Sequence, residues 1–338
     1  MTKSVRKRFK YKDNVFYENV AQSPQIFNGV PSVKPIPTDG KSIFSFRVDA
    51  DEISSEDFSD YIDIFSRYNN FITVFLCCSE FAGKEDLVLK LKDLGVDIQS
   101  HGYYHHVYND YANNLSNLIK ANEFLKSLGI TAEGFAGPMG KYNDALGKAL
   151  LDIDYKYSSE FSFDYINFPH YPMLKGKISK VMQLPIFPIC PEILFSNGLK
   201  VEEVFEYYIE VIKRLKEKNI PIILYAHTEA KYPEVKKLIS LLLKRAYEDD
   251  GLVKMNMTEY ASWCFSLLSE ERGNPRENNA KIIYDDFLFG EIQREGIIKR
   301  IKHFIKESVD FEKITPVNEL KDIWWKKMIK VFLRKIIN

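Results

Sequence analysis

The chain has 338 residues, 45% of them hydrophobic and 14% aromatic, which supplies a large core and excludes disorder as its general state. Lys+Arg and Asp+Glu both number 47, so formal net charge is zero and no overall field draws the protein to nucleic acid. No run of about 18 apolar residues occurs, and none follows the basic opening MTKSVRKRFK, so neither a spanning helix nor a signal peptide is expected.

Residues 1–40 are polar, with Pro31, Pro35, Pro37 and Gly40 near their end, and read as an N-terminal arm. A repeating pattern then begins. Ser42–Val48 (SIFSFRV) reads as a strand ending in acids, and Ser54–Tyr68 as a helix with apolar residues at helical spacing. Phe71–Cys77 (FITVFLC) is a continuous apolar run, as expected of a strand buried on both faces. A helix is expected at Glu85–Leu94, closed by Gly95, a strand at Val96–Ser100, and a helix at Tyr111–Leu128, closed by Gly129. Ala132–Ala136, Tyr155–Ser159 and Val181–Phe187 read as strands, with a helix at Asp144–Leu151. Val201–Lys218, Glu234–Tyr247 and Thr258–Leu268 read as helices, alternating with strands at Pro221–Ala226 and Leu252–Met255. Strands alternating with helices imply parallel βα units. About seven or eight units in residues 41–268 predict an α/β fold, an irregular (β/α)7-type barrel, for which ~250 residues is typical. An open doubly wound sheet is the rival, weakened by the lack of a glycine-rich loop after the first strand.

Residues 269–338 read as a C-terminal helical extension. It closes on Trp324–Ile337 (WWKKMIKVFLRKII), with two tryptophans, five basic residues and no acid. That pattern suits an in-plane interfacial helix, giving peripheral membrane contact through residues 324–337, and equally suits a helix packed on the barrel. Cys77 and Cys78 are adjacent in an apolar run, and only Cys190 and Cys264 accompany them. Buried thiols in a reducing cytoplasm are therefore expected rather than a disulfide framework.

In parallel barrels chemistry sits at the C-terminal strand ends, and four predicted strands end in polar groups. The first ends in Arg47, Asp49 and Asp51; another in Ser100-His101-Gly-Tyr-Tyr-His105-His106; another in Gly134-Phe-Ala136-Gly-Pro138-Met-Gly140; and a late one in His227. Asp49 and Asp51 share one face of extended chain, so one carboxylate can hold a metal while the other acts as base. His101 and His105, four apart, would stack on one side of a helical turn. Two histidines and a carboxylate leave open positions on a divalent metal. A lone His-x-x-x-His is more often a capping or packing pair; the strand-end acids and His227 reverse that balance. His106 can orient a ligand, Asn143 can cap the following helix or bind a hydroxyl, and Asp164 can border a groove. His170 reads as a turn residue and His303 as a solvated one.

These motifs resemble the polysaccharide deacetylase family, also called carbohydrate esterase family 4 or the chitooligosaccharide deacetylase homology domain. The family's acidic, His-x-x-x-His, Gly-Phe-Arg-x-Pro-x-Gly and late Leu/His motifs appear in order across residues 41–268 as Asp49-Ala-Asp51, His101–His105, Gly134–Gly140 and Leu224-Tyr-Ala-His227. The resemblance implies an irregular barrel that hydrolyses an N- or O-acetyl group on a saccharide. It implies that Asp51, His101 and His105 hold a divalent metal, most often Zn2+. It makes Asp49 the general base and His227 the general acid. Leu224 would face the acetyl methyl, and the Gly134–Tyr142 loop, with Pro138, Gly140 and Tyr142, would wall the sugar groove. Ala136 stands where the family has an arginine that pairs with the base, and Arg47 is the expected substitute. A shifted register, with Arg47 at the base position and Asp49 on the metal, is the other reading of the first strand. It would leave a catalytically weak or silent carbohydrate-binding relative; hydrolysis of a non-sugar amide is a third reading.

Overall fold

The computed structural model describes residues 33–37, 40–51, 55–160, 169–174, 177–187, 190–195, 198–217, 220–228, 232–270 and 280–284. In chain order its elements are β1 (Val33–Pro37), β2 (Ser42–Ala50), α1 (Ser55–Arg67), β3 (Ile72–Leu76), α2 (Cys78–Phe81), α3 (Glu85–Asp93), β4 (Asp97–Ser100), α4 (Tyr111–Ser127), β5 (Gly134–Ala136), α5 (Asp144–Asp152) and β6 (Tyr157–Ser159). There follow β7 (Met173–Leu174), β8 (Lys177–Ile178), β9 (Met182–Gln183), α6 (Pro191–Phe195), α7 (Val201–Glu217), β10 (Ile222–His227), α8 (Glu234–Tyr247), β11 (Leu252–Lys254), α9 (Met257–Glu270) and β12 (Ala280–Tyr284).

Eight of these strands form one curled parallel sheet, in the order β10-β2-β3-β4-β5-β6-β9 with β11 beside the start of β2. The seam between its ends is crossed by a backbone hydrogen bond from Phe187 N–H to the Ile223 carbonyl, 2.8 Å long. The architecture is thus the α/β barrel expected from the βα alternation.

All nine residues of β2 are buried, because the strand is covered on both faces. Its alternation sorts the two covers. Phe44, Phe46, Val48 and Ala50 join the outer core between sheet and helices, with Phe58, Ile62, Leu238 and Leu242. Ile43 joins a separate inner core with Phe75, Tyr157, Leu184, Ile223 and Tyr225. The odd residues of β2 therefore face the barrel interior, which is what delivers Arg47 and Asp49 there. Helix ends are defined by local chemistry: Asp110 accepts from Asn113 N–H at the start of α4, and Asn143 accepts from Leu146 N–H at the start of α5, both at 2.8 Å.

Three features depart from the sequence expectations. A strand rather than a helix occupies Ala280–Tyr284, and it pairs antiparallel with β1 in the segment read as an arm. The expected strand Val181–Phe187 shortens to β9 and a short bridge, because Pro185 interrupts the ladder. Two short helices, α2 and α6, follow strands where only loop was expected. Asp164, His303 and residues 324–337 lie outside the described residues. No helix among the described residues is long and apolar enough to cross a membrane, and the four cysteines are buried and free of disulfides.

Candidate active site

The C-terminal ends of β2, β4, β6 and β10 place a group of charged side chains in the barrel mouth. Donor atoms of Asp51, His101 and His105 all lie within 4.8 Å of one another. Asp51 Oδ2 is 2.9 Å from His105 Nε2, and the two imidazole rings are 4.9 Å apart. The histidines do not sit on a helix, as their spacing had suggested. They come from the loop after β4, where Gly102 adopts φ +85° and an added Cβ would lie 3.0 Å from the Asn117 amide. That loop is pinned from two sides. Asn117 of α4 accepts from Tyr104 N–H and donates to the carbonyls of Tyr104 and His106. Cys78 and Ser79, opening α2, donate their amides to the carbonyls of Gly102 and Tyr103.

His101 is held from behind by a single peptide group. The Ala136 carbonyl accepts from its Nδ1 at 2.8 Å, which puts the proton on Nδ1 and leaves the Nε2 lone pair free. The amide of the same peptide, Gly137 N–H, donates to Glu160 Oε1 at 3.1 Å. A Cβ at Gly137 would fall 2.3 Å from the Lys141 carbonyl oxygen, so the turn requires glycine there. Among the described residues, His101 Nε2 and Asp51 Oδ1 are buried without a hydrogen-bond partner. Two orphaned acceptors facing a third donor group fit a divalent cation.

Asp49 has a different partner. Arg47 grips both its oxygens, Nε to Oδ1 and Nη2 to Oδ2, each at 2.6 Å. The remaining nitrogen, Nη1, donates to the Ser159 carbonyl at 2.5 Å and its hydroxyl at 3.2 Å. Ser159 is the register neighbour of Ala136 across β5 and β6. The guanidinium thus reaches from β2 towards the end of β5, where Ala136 stands. It also lies over the rings of Phe75 and Tyr225, at 5.2 and 5.8 Å.

His227 ends β10 opposite Asp49 in the register, with its Nε2 4.0 Å from Asp49 Oδ2. Its Nδ1 is 3.3 Å from Glu192 Oε2, and its backbone amide donates to Glu192 Oε1 at 2.8 Å. Sequence reasoning missed Glu192, which lies in the five-residue α6. It also missed Glu160, Ser159, Asn117 and Tyr225. Only the spacing rule offered a signal, for Tyr225 two residues before His227.

These surroundings set the ionisation. Burial alone would raise the Asp49 carboxyl, but the Arg47 guanidinium outweighs it and holds the group below its ordinary value. Burial also opposes ionisation of Asp51, yet the His105 hydrogen bond and neighbouring histidines bring it to about 2. Burial takes His101 down to about 4. His105 and His227 are both raised against burial, by Asp51 and by Glu192 respectively, His227 well above the ordinary value. Glu160 is pushed up by burial to about 7.

Other expected site residues are placed differently. Leu224 packs in the outer core with Phe46 and Val48, on the opposite face of β10 from His227. The residue sharing the face of His227 is Tyr225, whose ring lies 5.5 Å from the imidazole. Tyr142 is buried against Leu146 and Ala149 of α5, and its hydroxyl fills the space that a side chain at Gly147 would take. Pro138 and Gly140 form a 3-10 turn after β5, with Pro138 buried. His106 is exposed, with its ring on Tyr108.

Residues 41–158 match the family model for polysaccharide deacetylase. Among solved structures, the chain is similar to a candidate polysaccharide deacetylase from Mycobacterium smegmatis at 17% identity and TM-score 0.57, covering 71% of this chain and 94% of that one. A candidate polysaccharide deacetylase from Pseudomonas aeruginosa PAO1 gives 16% identity and TM-score 0.56 over 71% and 94%. Puue allantoinase gives 15% identity and TM-score 0.55 over 70% and 93%. At these identities the likeness is one of fold. No curated protein matches the chain.

Proposed function

We propose that this chain, which has the fold of the polysaccharide deacetylase family, is a divalent-metal hydrolase that removes an acetyl group from a saccharide. One observation carries the reading: Asp51, His101 and His105 converge with two buried, unpartnered ligand atoms, beside a carboxylate and an imidazole held in opposite charge states. A divalent ion held by those three residues would polarise the acetyl carbonyl and ease deprotonation of the attacking water. Asp49, buried and kept ionised by Arg47, takes the proton of that water. His227, kept protonated by Glu192, returns a proton to the departing amine or alkoxide. The C–N or C–O bond then breaks, with acetate as the acyl product. Ser159 fixes the guanidinium, so base and counter-charge keep their geometry throughout. Zn2+ suits a two-histidine, one-carboxylate set.

Metal content by mass spectrometry, paired with acetate release from N- and O-acetylated oligosaccharides, tests the reading. We expect at least one tightly held divalent ion per chain and turnover lost in both Asp51→Asn and His101→Gln. A metal-loaded protein that releases no acetate from any acetylated sugar would overturn it and favour a carbohydrate-binding protein. Turnover confined to small non-sugar amides would retain the chemistry and replace the substrate.

A further inference from the structure

His227 has a second side. Its Nδ1 points away from Asp49 towards two residues outside the metal triad. Cys190 Sγ, a Glu192 carboxylate oxygen and a His227 ring nitrogen lie within 4.8 Å of one another. Cys190 is 4% exposed and Glu192 7%. Glu192 is anchored through Oε1 on the His227 amide, which leaves Oε2 turned to the gap. Oε2 and Nδ1 stand 3.3 Å apart, yet neither makes a well-directed hydrogen bond among the described residues. An ion pair without a directed hydrogen bond leaves both buried atoms able to take a further partner.

We propose that Cys190, Glu192 and His227 form a second divalent-cation site, thiolate-containing and selective for zinc-like ions, whose occupation disarms His227 as an acid. The inhibitory half rests on the deacetylase reading above; the site itself does not. Tetrahedral zinc, with bonds of about 2.3 Å to sulfur and 2.0–2.1 Å to nitrogen, holds its donors about 3.3–3.7 Å apart. The Glu192–His227 separation of 3.3 Å already has that value, and sulfur, within 4.8 Å of both partners, needs to close by about 1 Å at most. A thiolate and a carboxylate neutralise a dication, so a charge-balanced centre replaces a buried ion pair. The soft sulfur favours zinc, cobalt or cadmium over magnesium or calcium. Binding expels two protons, one from Cys190 Sγ and one from His227 Nδ1. His227 is left as a neutral ligand bearing only its Nε2 proton, a far weaker acid than the imidazolium. Asp51, His101 and His105 are untouched, so excess cation stops proton delivery without emptying the first site.

Cobalt(II) titration of the full-length, reduced apoprotein tests this, because a thiolate ligand produces a near-ultraviolet charge-transfer band that histidine and carboxylate do not. We expect two equivalents, one of which brings the band, and acetate release falling as the band grows. Cys190→Ser should abolish the band and weaken that step by on the order of tenfold or more, while the other equivalent binds as before. Asp51→Asn should remove the band-free equivalent and keep the band. A single equivalent with no band in the unaltered protein overturns the site, as does a band that survives Cys190→Ser. A Cys190-dependent band in a protein without turnover supports the cation site and overturns the deacetylase reading instead.

Discussion

Replacing Arg47 by methionine should cost both stability and the base. The guanidinium makes two 2.6 Å bonds to Asp49 and one of 2.5 Å to the Ser159 carbonyl, and Asp49 is only 3% exposed. Hydrogen bonds to charged groups contribute about 1.5–3 kcal/mol each, so the two on Asp49 bound the loss at roughly 3–6 kcal/mol. Breaking one partner of a buried ion pair costs about 3–5 kcal/mol by mutational experience. The overlap predicts a loss of about 3–5 kcal/mol in denaturant unfolding. The activity should change in a defined way. With the guanidinium gone, burial is opposed only by the neighbouring His101 and His227, and the Asp49 carboxyl rises. The acid limb of kcat/KM must then move to higher pH. Pairing Arg47→Met with Asp49→Asn should restore most of the stability, since no orphaned charge remains, but none of the activity. A loss below about 1 kcal/mol with an unmoved acid limb in Arg47→Met would refute the reasoning.

Glu192→Gln removes the main influence that raises His227. The protonated acid is lost as pH rises through the His227 pKa, so lowering that pKa should bring the alkaline limb of kcat/KM to lower pH; an unchanged limb would leave Glu192 without this role. Burial raises the Glu160 carboxyl in the folded chain to about 7, from an ordinary value of 4.5. Its stabilising contribution is present below about 4.5 and lost as pH rises through about 7. The 2.5-unit difference, at about 1.36 kcal/mol per unit, amounts to about 3 kcal/mol. Unfolding of Glu160→Gln and the unaltered protein at pH 4.5 and 8 should show the variant gaining about that much relative stability, and parallel behaviour would contradict it. Leu224→Ala should lose about 2–5 kcal/mol with KM unchanged, because Leu224 packs outside the barrel; a raised KM would return it to the substrate pocket.

The barrel was legible because its strands are apolar runs and its helices carry apolar residues at helical spacing, as in β3 and α8. The acid pair was legible because a period of two assigns Arg47, Asp49 and Asp51 to one face. The same period, applied to β10, puts Tyr225 and not Leu224 beside His227; the motif was counted without its strand. His101 and His105 were found by spacing but expected on a helix, since nothing local shows that Gly102 and Asn117 hold an extended loop. Glu192 and Glu160 were not legible at all. Each works through long-range contacts, to residues 35 and 23 positions away, and neither stands in a periodic segment. β1 was passed over because its two prolines argue against a strand interior, and it survives as one half of a two-stranded ladder.

Carrying the guanidinium on β2 makes acid and counter-charge a two-residue unit of one strand. Their spacing is then a property of local covalent geometry, not of how two separate strands meet when the barrel is assembled. The end of β5 at Ala136 keeps a separate task, holding His101 through its carbonyl, while the proton-accepting pair is fixed from β2.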